Sequence, residues 1–145
     1  MLNIGVIGIG SISEYHINSY LNHPNAKLVA LCDIHAERLK EKGAEYGVEL
    51  LYTDYRELLE KSGVDAVSIC TWNNSHAEIA VAALEAGKHV LVEKPLSITV
   101  EQAEKVQEAA EKSGKIAQVG FVRRFGENVN VLKKFIDAGD LGELY

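Results

Sequence analysis

No apolar run in this sequence approaches the ~20 consecutive residues that a membrane-spanning helix needs. No basic stretch precedes the first apolar segment, so no signal peptide is expected. Cysteine is scarce: there are two, Cys32 and Cys70, each at the end of an apolar run. With no C-x-x-C or H-x-x-x-H spacing, a metal site is not expected. Buried free thiols in a reducing cytoplasm are expected instead. Basic charge is not in excess, and the formal net charge of −6 argues against nucleic acid as a partner. It leaves room for a small anion held locally by backbone amides. There is no internal repeat, low-complexity stretch or Pro/Gly-rich linker, so the 145 residues read as one domain. A domain of this size buries roughly 68–70% of its unfolded surface, enough for a proper core. The content of 47% hydrophobic and 25% charged residues is ordinary for a soluble globular chain.

What is present alternates between strands and helices. Leu2–Ile7 reads as a buried strand, rich in β-branched residues, with a helix over Ser11–Leu21. Lys27–Cys32 is a second strand, and Ala36–Tyr46 a helix closed by Gly47. Glu49–Tyr52 is a short third strand; Asp54 caps a helix through Lys61, and Gly63 ends it. Asp65–Cys70 is the fourth strand. Ser75-His76-Ala77-Glu78 then has the form of a capping box for a helix to about Ala86. Lys88–Val92 is the fifth strand. Thr99-Val100-Glu101-Gln102 offers a second capping box, with a buried stripe of Ala103, Val106 and Ala110. Ile116–Gly120 is the sixth strand. Phe125–Ala138 is a last helix, with Val129, Leu132, Phe135 and Ile136 on one stripe. Six strands joined by helices predict an α/β fold: a doubly wound parallel sheet between two helical layers. Residues 1–120 form its core, and 121–145 carry the terminal helix and the start of a crossover.

Ligands of such sheets bind at the carboxyl ends of the strands. Gly8 and Gly10 follow strand one, Asp33 strand two, Thr71-Trp72-Asn73-Asn74 strand four and Glu93-Lys94-Pro95 strand five. Gly8 allows a tight turn. Gly10 lets a pyrophosphate approach the backbone, and the helix opening at Ser11 and Ile12 offers unpaired amides. The third position of the motif is Ser13 rather than Gly or Ala, which is expected to loosen helix–strand packing slightly. Asp33 lies 23 residues after Gly10, where an acidic side chain accepts hydrogen bonds from the adenosine ribose hydroxyls. It also repels a 2′-phosphate, so NAD is favoured over NADP. No arginine is adjacent; Arg38 is expected along the next helix. Asp33 is also placed to cap the helix from Ala36, and both roles are compatible. A glycine turn after the first strand together with a lysine after the fifth points to a nicotinamide-dependent oxidoreductase.

The segments Ile4-Gly5-Val6-Ile7-Gly8-Ile9-Gly10, Cys70-Thr71-Trp72-Asn73-Asn74-Ser75-His76, Val92-Glu93-Lys94-Pro95-Leu96 and Gly120-Phe121-Val122-Arg123-Arg124-Phe125 carry a resemblance. Together they resemble the N-terminal half of the glucose-fructose oxidoreductase/inositol dehydrogenase/MocA (Gfo/Idh/MocA) family, over essentially the whole chain. Trp72 departs from the pattern, standing where these proteins commonly have proline. The resemblance implies that Lys94 is catalytic and points at the substrate hydroxyl, where its ammonium stabilises a developing alkoxide. It implies that Glu93 either orients Lys94 or binds the nicotinamide ribose. Thr71, Trp72, Asn73 and His76 match cofactor-cleft positions, although a cap-region histidine without chemistry is an equal reading of His76. His16 reads as structural or cleft-edge. Arg123 and Arg124 read either as substrate contacts or as a solvated pair. A cis bond before Pro95 is expected.

Members of that family run to roughly twice this length, with a second α/β domain that supplies most substrate contacts. The resemblance therefore implies an NAD-binding domain that catalyses little alone, from an enzyme oxidising a secondary alcohol of a sugar or cyclitol. Homo-oligomer formation is compatible with it. A second reading is a non-catalytic NAD-binding module or sensor that completes its site with another chain.

Overall fold

The structure, a computed structural model, describes residues 1–143; the last two residues of the 121–145 segment lie outside the described residues. Six strands form one sheet: β1 (Leu2–Ile7), β2 (Ala26–Cys32), β3 (Leu50–Tyr52), β4 (Ala66–Ile69), β5 (His89–Val92) and β6 (Ala117–Val119). Their order is β3-β2-β1-β4-β5-β6, and every pairing is parallel. Helices α1 (Ser13–Leu21), α2 (Ala36–Tyr46), α3 (Tyr55–Lys61), α4 (His76–Glu85), α5 (Val100–Ser113) and α6 (Glu127–Asp137) alternate with them. The order reverses between β1 and β4, and that switch point is where such a sheet opens a crevice.

Alternate residues of a strand face opposite sides, so apolar residues in succession need cover on both. Val6 of β1 joins Ile17, Leu28, Leu31 and Leu39 under α1 and α2. Its neighbour Ile7 joins Leu58, Val67, Ile69, Leu84 and Val106 under α3, α4 and α5. The expected doubly wound fold is present. On α5 the fully buried pair is Val106 and Ala109, with Ala103 and Ala110 half-buried at the flanks. Both cysteines are buried and free. Burial pushes both thiols up to about 12, so neither supplies a thiolate near neutral pH.

The starts of α1, α4 and α6 differ from expectation. Ser75 forms no capping box. A 3-10 turn over Asn73–Ser75 runs directly into α4, so the Ser75 backbone is already helical and its hydroxyl turns back. It donates to Thr71 Oγ1 (2.8 Å) or Trp72 O (2.9 Å). Thr99 does cap α5: its Oγ1 accepts from the Gln102 amide, and Gln102 Oε1 accepts from the amide of Ile98. α1 begins at Ser13 rather than Ser11, because the turn after Gly10 takes up the two intervening residues.

The last helix is set apart from the core. A 3-10 turn, Val122–Phe125, precedes α6, and no residue of α6 is buried. Leu132 and Phe135 are each about half exposed. The apolar stripe therefore faces outward, a surface that favours association. Light scattering at rising concentration should show self-association of the 145-residue chain, reduced by Leu132→Glu with Phe135→Glu. The same pair should leave urea stability within about 0.5 kcal/mol, as expected of exposed sites. Ile69→Ala, in the core, should cost about 2–5 kcal/mol.

Candidate functional site

The turn after β1 is shaped by one close approach. Gly8 has φ +84°, and a Cβ there would lie 2.8 Å from backbone atoms of Cys70 and Thr71 at the end of β4. Only glycine fits both constraints. Gly10 is different: a Cβ there meets nothing within 4 Å, so its open side faces empty space. No side chain caps the N-terminus of α1; the Ser13 amide donates to Gly10 O at 3.1 Å. Ser13 does not loosen the packing. It is buried, and its hydroxyl donates to Gly10 O at 2.6 Å, so the extra polar atom is satisfied locally.

Asp33 closes the β2 end. Its Oδ2 accepts from the Ile9 amide at 2.9 Å; its Oδ1 accepts from the His35 amide at 2.9 Å and from Arg38 Nη2 at 2.7 Å. Arg38, expected along the next helix, reaches back one turn to the carboxylate. Burial opposes the charge on Asp33, but the Arg38 guanidinium and the two amides outweigh it and hold the carboxyl below its ordinary value. The expected cap role is not taken up: the residue at the α2 cap position is His35, with no side-chain cap bond.

These residues line a cleft of about 700 Å³, a size usual for small-molecule sites. Gly8, Gly10, Ser11, Ile12, Asp33, Thr71 and Trp72 all border it. Trp72 is 84% exposed and stands on its rim. Asn73 does not border the cleft; Asn74 and Ser75, the next residues of the 3-10 turn, do. His76 does not border it either. It is buried, with Nδ1 at 2.7 Å from Pro95 O and Nε2 at 3.0 Å from Thr71 O. Carbonyl oxygens only accept, so the ring donates through one nitrogen or, when doubly protonated, through both. The imidazole thus joins the cleft wall to the turn after β5 instead of facing a ligand.

That turn carries Glu93, Lys94 and Pro95, with a cis bond between Lys94 and Pro95 as expected. Glu93 is buried and does not orient Lys94 by pairing with its ammonium. Its Oε1 accepts from His16 Nε2 at 3.0 Å, and its Oε2 accepts from the Lys94 backbone amide at 3.2 Å. Lys94 is exposed and does not line the cleft. Arg123 and Arg124 are exposed on the 3-10 turn after β6. Among the described residues, no cluster of three or more His, Cys, Asp or Glu is placed to hold a metal, and no helix is long and apolar enough to cross a membrane.

The sequence profile of an oxidoreductase family with an NAD-binding Rossmann fold, Gfo/Idh/MocA, matches residues 2–121. The chain belongs to that family. It is 38% identical over 142 residues to the myo-inositol 2-dehydrogenase of Thermotoga maritima, covering 98% of this chain and 42% of that enzyme. The scyllo-inositol dehydrogenase of Lactobacillus casei, solved with NAD(H) and scyllo-inositol, superposes with a TM-score of 0.91 at 30% identity. That match covers 99% of this chain and 43% of the other. The WlbA dehydrogenase of Bordetella pertussis, solved with NADH and UDP-GlcNAcA, superposes with a TM-score of 0.93 at 28% identity, covering 99% and 44%. The chain thus spans less than half the length of the relatives it matches.

The family's dinucleotide fits this cleft on its own geometry. Gly10 with its open side, Ser11 and Ile12 ahead of α1, and Asp33 all border it. Sequence reasoning missed Thr53, Asp54, Tyr55 and Arg56, which also border it. They follow β3, so the carboxyl-end rule applied to the other strands would have found them. It also missed Arg38, whose reach depends on how α2 packs.

The Asp33 contacts carry a pH signature. Its carboxyl is depressed in the folded state, so the stability it contributes is complete above the ordinary value of 3.8 and is lost as pH falls through the lower folded value. Asp33→Asn should therefore flatten the acid limb of the stability curve. Urea midpoints measured from neutral pH into acid check this; parallel curves for the two proteins would reject it.

Proposed function

We propose that this chain is the cofactor-binding domain of an NAD-dependent dehydrogenase that oxidises a secondary alcohol of a sugar or cyclitol. The observation that carries the reading is the cleft at the β1/β4 switch point, with Asp33 held ionised in its wall. Residues 1–120 are the binding core, and 121–145 lead toward a second domain that shapes the substrate site. The substrate class rests on the inositol and nucleotide-sugar ligands of the relatives.

Each residue has a part in this reading. The amides at Ser11 and Ile12 bind the pyrophosphate, and Gly10 admits it. Asp33 accepts from the adenosine ribose, and its charge disfavours a 2′-phosphate, so NAD is preferred to NADP. Arg38 does not reverse that preference, because its guanidinium is already engaged by the carboxylate. Thr71, Trp72, Asn74 and Ser75 bound the cleft after β4, and His76 ties that stretch to Pro95. Glu93 shapes the nicotinamide end. Lys94 is the catalytic residue: its ammonium hydrogen-bonds the substrate oxygen and stabilises the charge that develops there. The nicotinamide, when bound, accepts the hydride. The chain by itself binds NAD and turns over little, since substrate positioning needs groups beyond these residues. The full-length enzyme is proposed to be cytoplasmic and homo-oligomeric.

A second reading, a non-catalytic NAD module that completes its site with another chain, draws on Lys94 standing outside the cleft lining. Activity that appears only on mixing with a second polypeptide would favour it.

Calorimetric titration with NAD and NADP tests the main reading. Micromolar-to-millimolar NAD binding, weaker NADP binding and loss of the preference in Asp33→Ala are expected. No binding of either cofactor would overturn it. Trp72 is the sole tryptophan and stands on the rim, so NADH should quench its fluorescence by energy transfer at the same concentrations.

A further inference from the structure

A buried polar chain runs from α1 to the Glu93-Lys94-Pro95 turn. Tyr20 Oη lies 2.8 Å from Ser68 Oγ, Ser68 Oγ 2.9 Å from His16 Nδ1, and His16 Nε2 3.0 Å from Glu93 Oε1. Ser68 is fully buried, and the side chains of His16 and Glu93 are each 10% exposed. One directed arrangement satisfies every atom. Tyr20 O–H donates to Ser68, Ser68 O–H donates to Nδ1, and Nε2–H donates to the carboxylate. A buried carboxylate is tolerated only when hydrogen-bonded, and this chain supplies the bonds.

The consequence falls on Lys94. Glu93 is its immediate neighbour, and an adjacent carboxylate is the nearest counter-ion an ammonium could take. Both Glu93 oxygens are instead engaged, one by His16 and one by the Lys94 backbone amide. Among the described residues, Lys94 Nζ makes no ion pair or hydrogen bond. An ammonium without a carboxylate partner is the stronger donor to a developing oxyanion, because none of its charge is offset beforehand.

We propose that His16 is a positioning residue that holds Glu93 off Lys94 and keeps the Lys94 ammonium without a counter-ion. The inference deepens the reading of Lys94 above and matters for chemistry only if that reading holds. The charge environment of Lys94 can nevertheless be read without turnover.

Competitive acetylation of the 145-residue chain at fixed alkaline pH, with labelling at each lysine followed by mass spectrometry, makes the test. In His16→Ala the freed Glu93 pairs with Lys94, and Lys94 labelling should slow about threefold, the change expected of an exposed ion pair. In His16→Gln, whose amide nitrogen can take the place of Nε2, labelling should return to the wild-type rate. In the double variant His16→Ala with Glu93→Gln the slowing should vanish. Unchanged labelling in His16→Ala, or slowing that survives in the double variant, overturns the proposal. If His16→Ala does not fold, Glu93→Gln alone decides: labelling within about twofold of wild type supports it. A larger acceleration means that Glu93 already neutralises Lys94, and overturns it. Failure of NAD binding with this labelling pattern intact would reject the cofactor reading instead, so the two can fail separately.

Discussion

The approach of the first βα turn to the end of β4 is the constraint on which the rest depends. A parallel sheet brings all its carboxyl ends to one rim, but a crevice opens only where neighbouring strands send their chains to opposite faces. β1 and β4 do so here, α1 covering one face and α4 the other. For the two turns to diverge from so close a start, the first must pass within contact distance of Cys70 and Thr71. Gly8 makes that possible by lacking a Cβ and by taking a positive φ. The cleft and the open side of Gly10 follow from this one turn.

Buried polar groups hold the rim in place. Asp33 ties the first turn to the start of α2 through Ile9, His35 and Arg38. His76 ties the β4 end to the β5 end through two carbonyls. Glu93 ties the β5 end to α1 through His16. Each would be costly if unpaired, and each is paired to a different segment of the chain. The same bonds that satisfy these groups therefore fix the relative positions of three loops. Lys94 and Trp72 remain exposed on this frame.

Local sequence signals were most legible where they needed no partner. The strand Leu2–Ile7 and the helix Ala36–Tyr46 lie where their apolar pattern and Gly47 stop put them. Asp54 and Thr99 cap their helices as their side chains suggest. Ser75 has the same local signature as Thr99 and does not cap, because the preceding turn already winds as a 3-10 helix. The stripe on α6 is as regular as any in the chain, yet none of its residues is buried. Periodicity marks which side of a helix is apolar, and what covers that side is a separate matter.

The alternation of elements, the strand ends that carry Gly8, Gly10, Asp33, Thr71 and Lys94, and the family are all legible in the residues alone. These follow from local periodicity, from glycine positions and from short segments whose chemistry is strongly constrained. Which side chains become partners depends on how the elements pack. The tertiary structure paired Asp33 with Arg38, Glu93 with His16 rather than Lys94, and His76 with two backbone carbonyls instead of a ligand. It also added Tyr55 and Arg56 to the cleft and left Asn73 out of it. The physical reason is that a hydrogen bond between residues such as His16 and Glu93 depends on where two separate elements pack. No spacing along the chain encodes that distance.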